Sequence, residues 1–156
     1  MDFSAGAAIG AGLVGSVAMA MVRYMGIAMM PWRMTRNLFY ILVTMLTRNK
    51  GAAYVGGGMI HLMMGIGFAL VHAAAYQVFG LTSAFAAWGI LFGLVHWLMA
   101  GMGMGMVGSV HPMMRSGEMQ APGVLVKNFP SMTVAGFLMM HVMYGLLVGV
   151  LYEAWA

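Results

Sequence analysis

Methionine pairs with a spacing of four residues recur in each of four apolar stretches of this sequence. They are Met21/Met25, Met59/Met63, Met102/Met106 and Met139/Met143. Residues four apart share one face of a helix, so each pair would present two thioethers in the same direction. Thioether sulfur is a soft ligand that selects Cu(I). If these faces meet inside the protein, the pattern predicts a soft-metal site or a ladder of such sites.

Four histidines lie inside the same apolar stretches, at His61, His72, His96 and His141. Ionisable side chains inside a membrane span are costly, and they are functional candidates for that reason. A helical rise of about 1.5 Å per residue places His61 and His141 at one depth and the other two at a second depth. Three roles stay open for them: hydrogen bonds between helices, coordination of a metal together with Met, and axial ligation of haem b.

A mixed Met and His site has to satisfy a geometric condition. His61 is two residues from both Met59 and Met63, which puts its imidazole on nearly the opposite side of the helix. Such a site must therefore combine His from one helix with Met from another, although Met64 does share a side with His61. The predicted metal ligands are the eight paired methionines with His61 and His141. The secondary polar candidates are Arg23, His72 and His96.

Packing is the simpler explanation for the same methionines. Met is a flexible side chain that fills irregular gaps between helices. Glycines four apart, such as Gly89/Gly93 and Gly145/Gly149, let helix backbones approach closely in lipid. Met nevertheless outnumbers Leu by 22 to 15, which apolar filling alone does not require.

Two further polar residues bear on the ends of the apolar stretches, Arg23 from well inside one stretch and His111 just after another. Arg23 is the one basic residue well inside a stretch. A long basic side chain in such a position can extend its charge to the headgroups, so we expect Arg23 to snorkel. The alternative is that Arg23 holds an anionic lipid or cofactor group. His111 ends the third stretch and is expected at the membrane interface.

Composition predicts a membrane protein. Only 6% of the 156 residues are charged and 63% are hydrophobic, whereas a soluble domain carries about 25% charged residues. In a membrane protein, the basic residues behind the net charge of +4 mainly indicate which connections face the cytoplasm. We therefore do not expect nucleic acid as a partner. The absence of Cys excludes disulfides and thiolate metal sites. Of the three acids, Asp2 and Glu153 lie near the chain ends and Glu118 lies in a connection, so none is placed to form a relay with an intramembrane His, and we do not expect an enzyme.

Four stretches are long enough to cross a hydrocarbon core of roughly 30 Å. They cover residues 4–30, 54–79, 82–110 and 132–154. Residues 31–53 contain a short apolar run between basic residues, which predicts an interfacial helix. Prolines predict an irregular connection over residues 111–131. The opening stretch lacks a basic start, so we expect a retained span and not a cleaved signal peptide.

Basic residues predict the orientation of the spans. Apart from Arg23, every Lys and Arg lies in the first or the third connection: Arg33, Arg36, Arg48, Lys50, Arg115 and Lys127. The positive-inside rule places these two connections in the cytoplasm and both termini outside it.

The two halves of the chain are similar in sequence. "GLVGSVAMAM" from Gly12 aligns with "GLVHWLMAGM" from Gly93, and "MIHLMMG" from Met59 aligns with "MMHVMYG" from Met139. Two helices per repeat insert both repeats the same way round. The predicted fold is therefore all-α: one membrane domain over residues 1–156, with repeats at about 4–80 and 82–155. Its four transmembrane helices form two parallel-repeat hairpins, with one interfacial helix in addition.

The stretches "GLVHWLMAGM" and "MHVMYGLLVGVLY" resemble segments of a loosely defined group of small, uncharacterised bacterial four-helix membrane proteins. In that group a His stands shortly before a Gly in several helices, as His61, His96 and His141 do here. The resemblance covers mainly the second to fourth helices. It implies the four-helix fold and a bacterial inner membrane, and it carries no activity.

The leading functional prediction is an integral membrane protein that binds or passes a soft metal, Cu(I), along its Met- and His-lined helix faces. The rival is a non-catalytic accessory subunit that packs in the bilayer against other membrane subunits or a second copy of itself. A bundle that binds b-type haem is the third alternative.

Overall fold

The computed structural model describes residues 2–34 and 38–156, whose regular structure is helical. Arg36 and the side chain of Lys50, two basic residues of the first connection, lie outside that description. In chain order the helices are α1 (Ala5–Met29), α2 (Leu38–Thr44), α3 (Lys50–Val78), α4 (Phe85–Val110), α5 (Pro112–Arg115) and α6 (Ser131–Trp155). A short 3₁₀ helix, Val124–Val126, precedes α6.

Four of the described helices are long and apolar enough to cross a membrane, which confirms the four predicted stretches to within a few residues. Their spanning parts are Ala5–Met29, Tyr54–Val78, Phe85–Val110 and Ser131–Trp155. Side-chain caps begin two of these helices. The Ser4 hydroxyl accepts the Ala7 N–H at 3.3 Å, and the Asn49 side chain accepts the Ala52 N–H at 3.1 Å. These helices indicate an integral membrane protein.

Glycine-rich faces decide which helices touch. Helix α1 packs on α3 and on α6, and α4 packs on α6, whereas α3 and α4 follow each other through a tight turn but have little backbone contact. A Cβ on Gly145 would overlap the backbone of Gly89 and Gly93, and a Cβ on Gly12 would overlap that of Gly65. The pairs Gly12–Gly65 and Gly93–Gly145 stand at matching positions of the two predicted repeats. The duplication itself stays a prediction.

The first and third connections meet at one end of the bundle, here called the basic end. Arg48 donates hydrogen bonds of 3.0 and 3.2 Å to the two carboxylate oxygens of Glu118. The Thr133 hydroxyl donates to the Arg33 carbonyl at 3.0 Å. The Ser116 hydroxyl and the Arg48 guanidinium hold the pKa of the exposed Glu118 carboxyl below its usual value.

The predicted interfacial segment contains the seven-residue helix α2, which packs into the basic end. Ile41, Val43 and Thr44 are buried, and Gly57 of α3 makes room for the α2 backbone. His111 is fully buried against this helix, with Nε2 at 3.1 Å from both the Thr44 hydroxyl and the Ile41 carbonyl oxygen. Helix α2 thus covers His111 inside the protein, and its position at the membrane interface stays a prediction.

The third connection folds inward along α4. Leu125 packs on Gly101, Val124 packs on Gly105, and Val126 is fully buried. Leu125 and Val126 adopt left-handed backbone conformations with φ of 53° and 56°, which bulky side chains rarely do. Since this loop occupies the last turns of α4, helix α6 begins deeper in the bundle than α4 ends.

Candidate functional site

The paired methionines face outward. Seven of the eight are 58–71% exposed on the outer surface: Met21, Met25, Met59, Met63, Met102, Met106 and Met139. Met143 is partly buried against a core cluster that includes Tyr144 and Val148. Helix packing in lipid selects small residues for the inside, so the methionines opposite those residues point away from the bundle. Within one chain these sulfurs do not meet, which corrects the expectation of converging Met faces.

A cavity of about 100 Å³ lies inside the bundle, with walls from α1, α2, α3, α4 and α6. Three of the four intramembrane histidines line it: His61, His96 and His141. Each spanning helix also contributes one methionine to the wall, and these are Met19, Met64, Met104 and Met140. The structure thus brings His61 and His141 together as expected, but surrounds them with a different set of thioethers.

Hydrogen bonds define the tautomers of His61 and His141. His61 Nε2 lies 3.1 Å from the Ser16 carbonyl oxygen, and His141 Nδ1 lies 2.6 Å from the Phe137 carbonyl oxygen. A carbonyl oxygen only accepts, so each of these nitrogens carries the ring proton. The remaining nitrogens, Nδ1 of His61 and Nε2 of His141, therefore keep a lone pair. A backbone carbonyl behind the imidazole is also the usual support of a metal-binding His.

His96 shares the level of His141. Its ring stacks on Phe68 with a centroid distance of 3.6 Å and meets His141 edge to face at 4.8 Å. The expectation that His96 lies level with His72 is wrong, because Gly93 packs on the His141 backbone and brings this part of α4 beside it. His96 Nδ1 is buried without a hydrogen-bond partner among the described protein atoms. Such an atom calls for an explanation, and a bound ion is one.

His72 lies beyond the cavity, toward the chain termini. Its ring makes edge contacts with Phe92 at 5.5 Å and Tyr144 at 5.9 Å. Tyr152, which stands where the predicted repeat would place a second His, is buried and its hydroxyl accepts the Ser4 N–H at 3.1 Å. The contacts of His72 are therefore mainly aromatic.

Arg23 is 6% exposed and lines the cavity. The expectation that it snorkels is wrong, because α2 closes the basic end over it. Phe39 of α2 contacts the rings of Tyr24 at 5.0 Å and His61 at 5.5 Å. The guanidinium therefore adds a positive charge to the cavity wall.

Haem b does not fit between the facing histidines of α4 and α6. Axial imidazoles bind iron from opposite faces of a porphyrin, so their helices must stand apart. Here the backbones of Gly93 and Gly145 are in contact, and the His96 and His141 rings meet directly. A cavity of about 100 Å³ is also too small for a porphyrin.

Sequence reasoning did not select the four cavity methionines as ligands, although it placed Met64 on the same side of the helix as His61. What could have identified them is their spacing from a polar residue in the same spanning helix, and not the spacing between methionines. Met64 is three residues from His61, and Met19 is four residues from Arg23. Among the described residues, no group of three or more His, Cys, Asp or Glu is placed to hold a metal. A metal in this cavity would therefore need thioether ligands.

Tyr144 ties the cavity wall together, since its hydroxyl donates to the Gly65 carbonyl of another helix. Tyr144→Phe removes this bond together with the interaction of the same hydroxyl with the Ala69 backbone, and we expect it to lower the free energy of unfolding by about 1 kcal/mol. Tyr76→Phe is the matched control, because the Tyr76 hydroxyl is buried without a partner among the described atoms. Its removal should be neutral or stabilising. Reversible unfolding in micelles measures both, and equal losses would contradict the assigned role.

Comparison with known proteins assigns no family to this chain. No family model, curated protein or solved structure matches it. The resemblance to small bacterial four-helix membrane proteins therefore stays a prediction, and a function has to be argued from the cavity itself.

Proposed function

We propose that this protein binds a soft metal ion, Cu(I), in the cavity between its spanning helices. The observation that carries the proposal is the lining of one buried space by imidazoles from three helices and thioethers from four. Imidazole suits copper, and thioether selects Cu(I) over hard cations. The chain has no Cys, and none of its three acids lines the cavity, so thiolate and carboxylate do not enter this ligand set.

The proposed ligands are the nitrogens of His96 and His141 with the sulfurs of Met64, Met104 and Met140. The two rings are 4.8 Å apart and belong to facing helices, so one ion can bind both after a small shift. Met140 precedes His141 directly in the chain. The remaining histidine of the cavity, His61, and Met19 complete the soft wall.

Charge also favours a monovalent ion. Arg23 lines the same cavity and repels a divalent cation twice as strongly as a monovalent one at the same distance. Met64 is about half-exposed, so it stands where the cavity meets the outer surface of the bundle. Exchange of ligands at Met64 would let the ion enter or leave without a redox step.

The orientation proposed for the chain places both termini outside the cytoplasm of a bacterial inner membrane. The contact between the first and third connections supports it, because this contact gathers Arg33, Arg48 and Arg115 at one end. Contact with lipid is enough to account for the exposed methionines without a protein partner, since Met can replace Leu against lipid. An accessory subunit remains the alternative function.

The test is an anaerobic Cu(I) titration of the purified protein against a coloured Cu(I) chelator. We expect one tight site in the wild type. The inner variant, with Leu at positions 19, 64, 104 and 140, should bind at least about 100-fold more weakly. The outer variant, with Leu at positions 21, 25, 102 and 106, removes the same number of thioethers and should bind like the wild type.

Two results would overturn the proposal. The first is a wild-type protein without tight Cu(I) binding. The accessory subunit would then be the function to test, by co-purification in mild detergent. The second is loss of binding in the outer variant but not in the inner one, which would place the ion between chains. Because exchange of Met for Leu conserves volume, both variants are expected to fold.

A further inference from the structure

A groove of about 450 Å³ runs along the outside of the bundle, between α4 and α6. Its walls are largely apolar side chains, including Phe129, Val134 and Leu138. It shares no lining residue with the cavity proposed for Cu(I). An apolar groove on a membrane-spanning surface is in contact with lipid, so the question is whether its polar groups select one kind of lipid.

Two polar groups of the groove have different chemistry. Lys127 is exposed and lies in the loop before α6, so it carries a positive charge at the end nearest the basic connections. The Trp97 indole nitrogen is buried without a hydrogen-bond partner among the described protein atoms. An indole N–H only donates, and a buried donor without an acceptor is costly. The groove therefore offers a cation and a separate donor that lacks an acceptor.

The positions of the two groups suit an amphiphile. Leu125, two residues before Lys127, packs on Gly101, and Trp97 lies one helical turn further into the membrane along α4. A ligand that satisfies both groups needs an anionic oxygen near Lys127, an uncharged oxygen acceptor deeper down, and apolar chains for the walls. A phosphodiester followed by an acyl ester has these features in that order.

We propose that this groove is a binding site for an anionic phospholipid. The phosphodiester lies at Lys127, with the exposed Ser131 hydroxyl available beside it. A glycerol ester carbonyl accepts the Trp97 indole N–H, and the acyl chains lie along Val134 and Leu138. Basic side chains near the headgroup region attract anionic lipid, which makes phosphatidylglycerol a better ligand than a zwitterionic lipid.

The experiment reconstitutes the full chain in nanodiscs that contain equal amounts of phosphatidylglycerol and phosphatidylcholine with identical acyl chains. Native mass spectrometry then counts the lipids retained after transfer to mild detergent. We expect wild-type protein to retain phosphatidylglycerol preferentially, and Lys127→Gln to reduce that preference roughly fivefold. Trp97→Phe should lower the retention of both lipids, because the ester carbonyl is common to them.

Arg115→Gln is the matched control, because Arg115 is exposed at the same end of the bundle but does not line the groove. It removes the same charge and should leave the lipid preference unchanged. Equal retention of the two lipids by wild type, or equal effects of Lys127→Gln and Arg115→Gln, would overturn the proposal. The protein is measured free of metal, so failure of the Cu(I) proposal does not alter the outcome.

Discussion

Gly145→Val is expected to prevent α4 from packing on α6 and to leave the chain without its folded bundle. A Cβ at Gly145 would overlap the backbone of Gly89 and Gly93, and backbone atoms cannot move aside as a flexible side chain can. The two helices would have to separate, and this contact also brings His96 beside His141. We expect a loss of more than about 3 kcal/mol in the free energy of unfolding.

Unfolding in micelles, followed by circular dichroism and by size-exclusion profile, measures this loss. Gly67→Val is the matched control, since a Cβ at Gly67 would meet no atom within 4 Å. It places the same side chain inside a spanning helix, and it should leave stability within about 1 kcal/mol of the wild type. If the two variants unfold alike, the close approach of α4 and α6 does not decide stability.

His141→Phe is expected to weaken Cu(I) binding by at least about 100-fold while the bundle stays folded. The aromatic ring conserves the contacts with Phe137 and His96, but it removes the nitrogen lone pair that Nε2 keeps when Nδ1 donates to the Phe137 carbonyl. Competition with a coloured Cu(I) chelator measures the affinity. X-ray absorption of any copper still bound should show fewer nitrogen neighbours.

His72→Phe is the control for that variant. His72 is also a buried imidazole in a spanning helix, but it lies outside the cavity wall. Its replacement should leave Cu(I) affinity within about twofold of the wild type. An equal loss in the two variants would mean that His141 affects the cavity only through general packing.

The spanning helices could be predicted from the sequence because the pattern that identifies them lies within each helix. Each spanning helix can be recognised from the length of its apolar stretch, because that length has to match the thickness of the hydrocarbon core. The four predicted stretches therefore agree with the observed spans to within a few residues. Caps at Ser4 and Asn49 are local for the same reason, since a side chain within three residues satisfies the first free N–H groups.

The spacing of the methionine pairs does not determine whether their side chains point into the bundle or toward lipid. In water, burial separates apolar from polar residues, but lipid is as apolar as the inside of the bundle, so both faces of a spanning helix accept Met. The pair Met59 and Met63 therefore has the same spacing on an outer face as it would have on an inner one. The small residues opposite, such as Gly65, decide the inner face because they permit close contact.

The sequence by itself determined the spans, the set of intramembrane histidines and the position of the basic connections. Only the tertiary structure decided that His96 meets His141, that Arg23 is enclosed, and that Met19, Met64, Met104 and Met140 line one cavity. These outcomes depend on how far α4 slides along α6 and on how α2 and the Val124–Val126 turn fold inward. Contacts between residues distant in the chain set those offsets, so no local pattern encodes them.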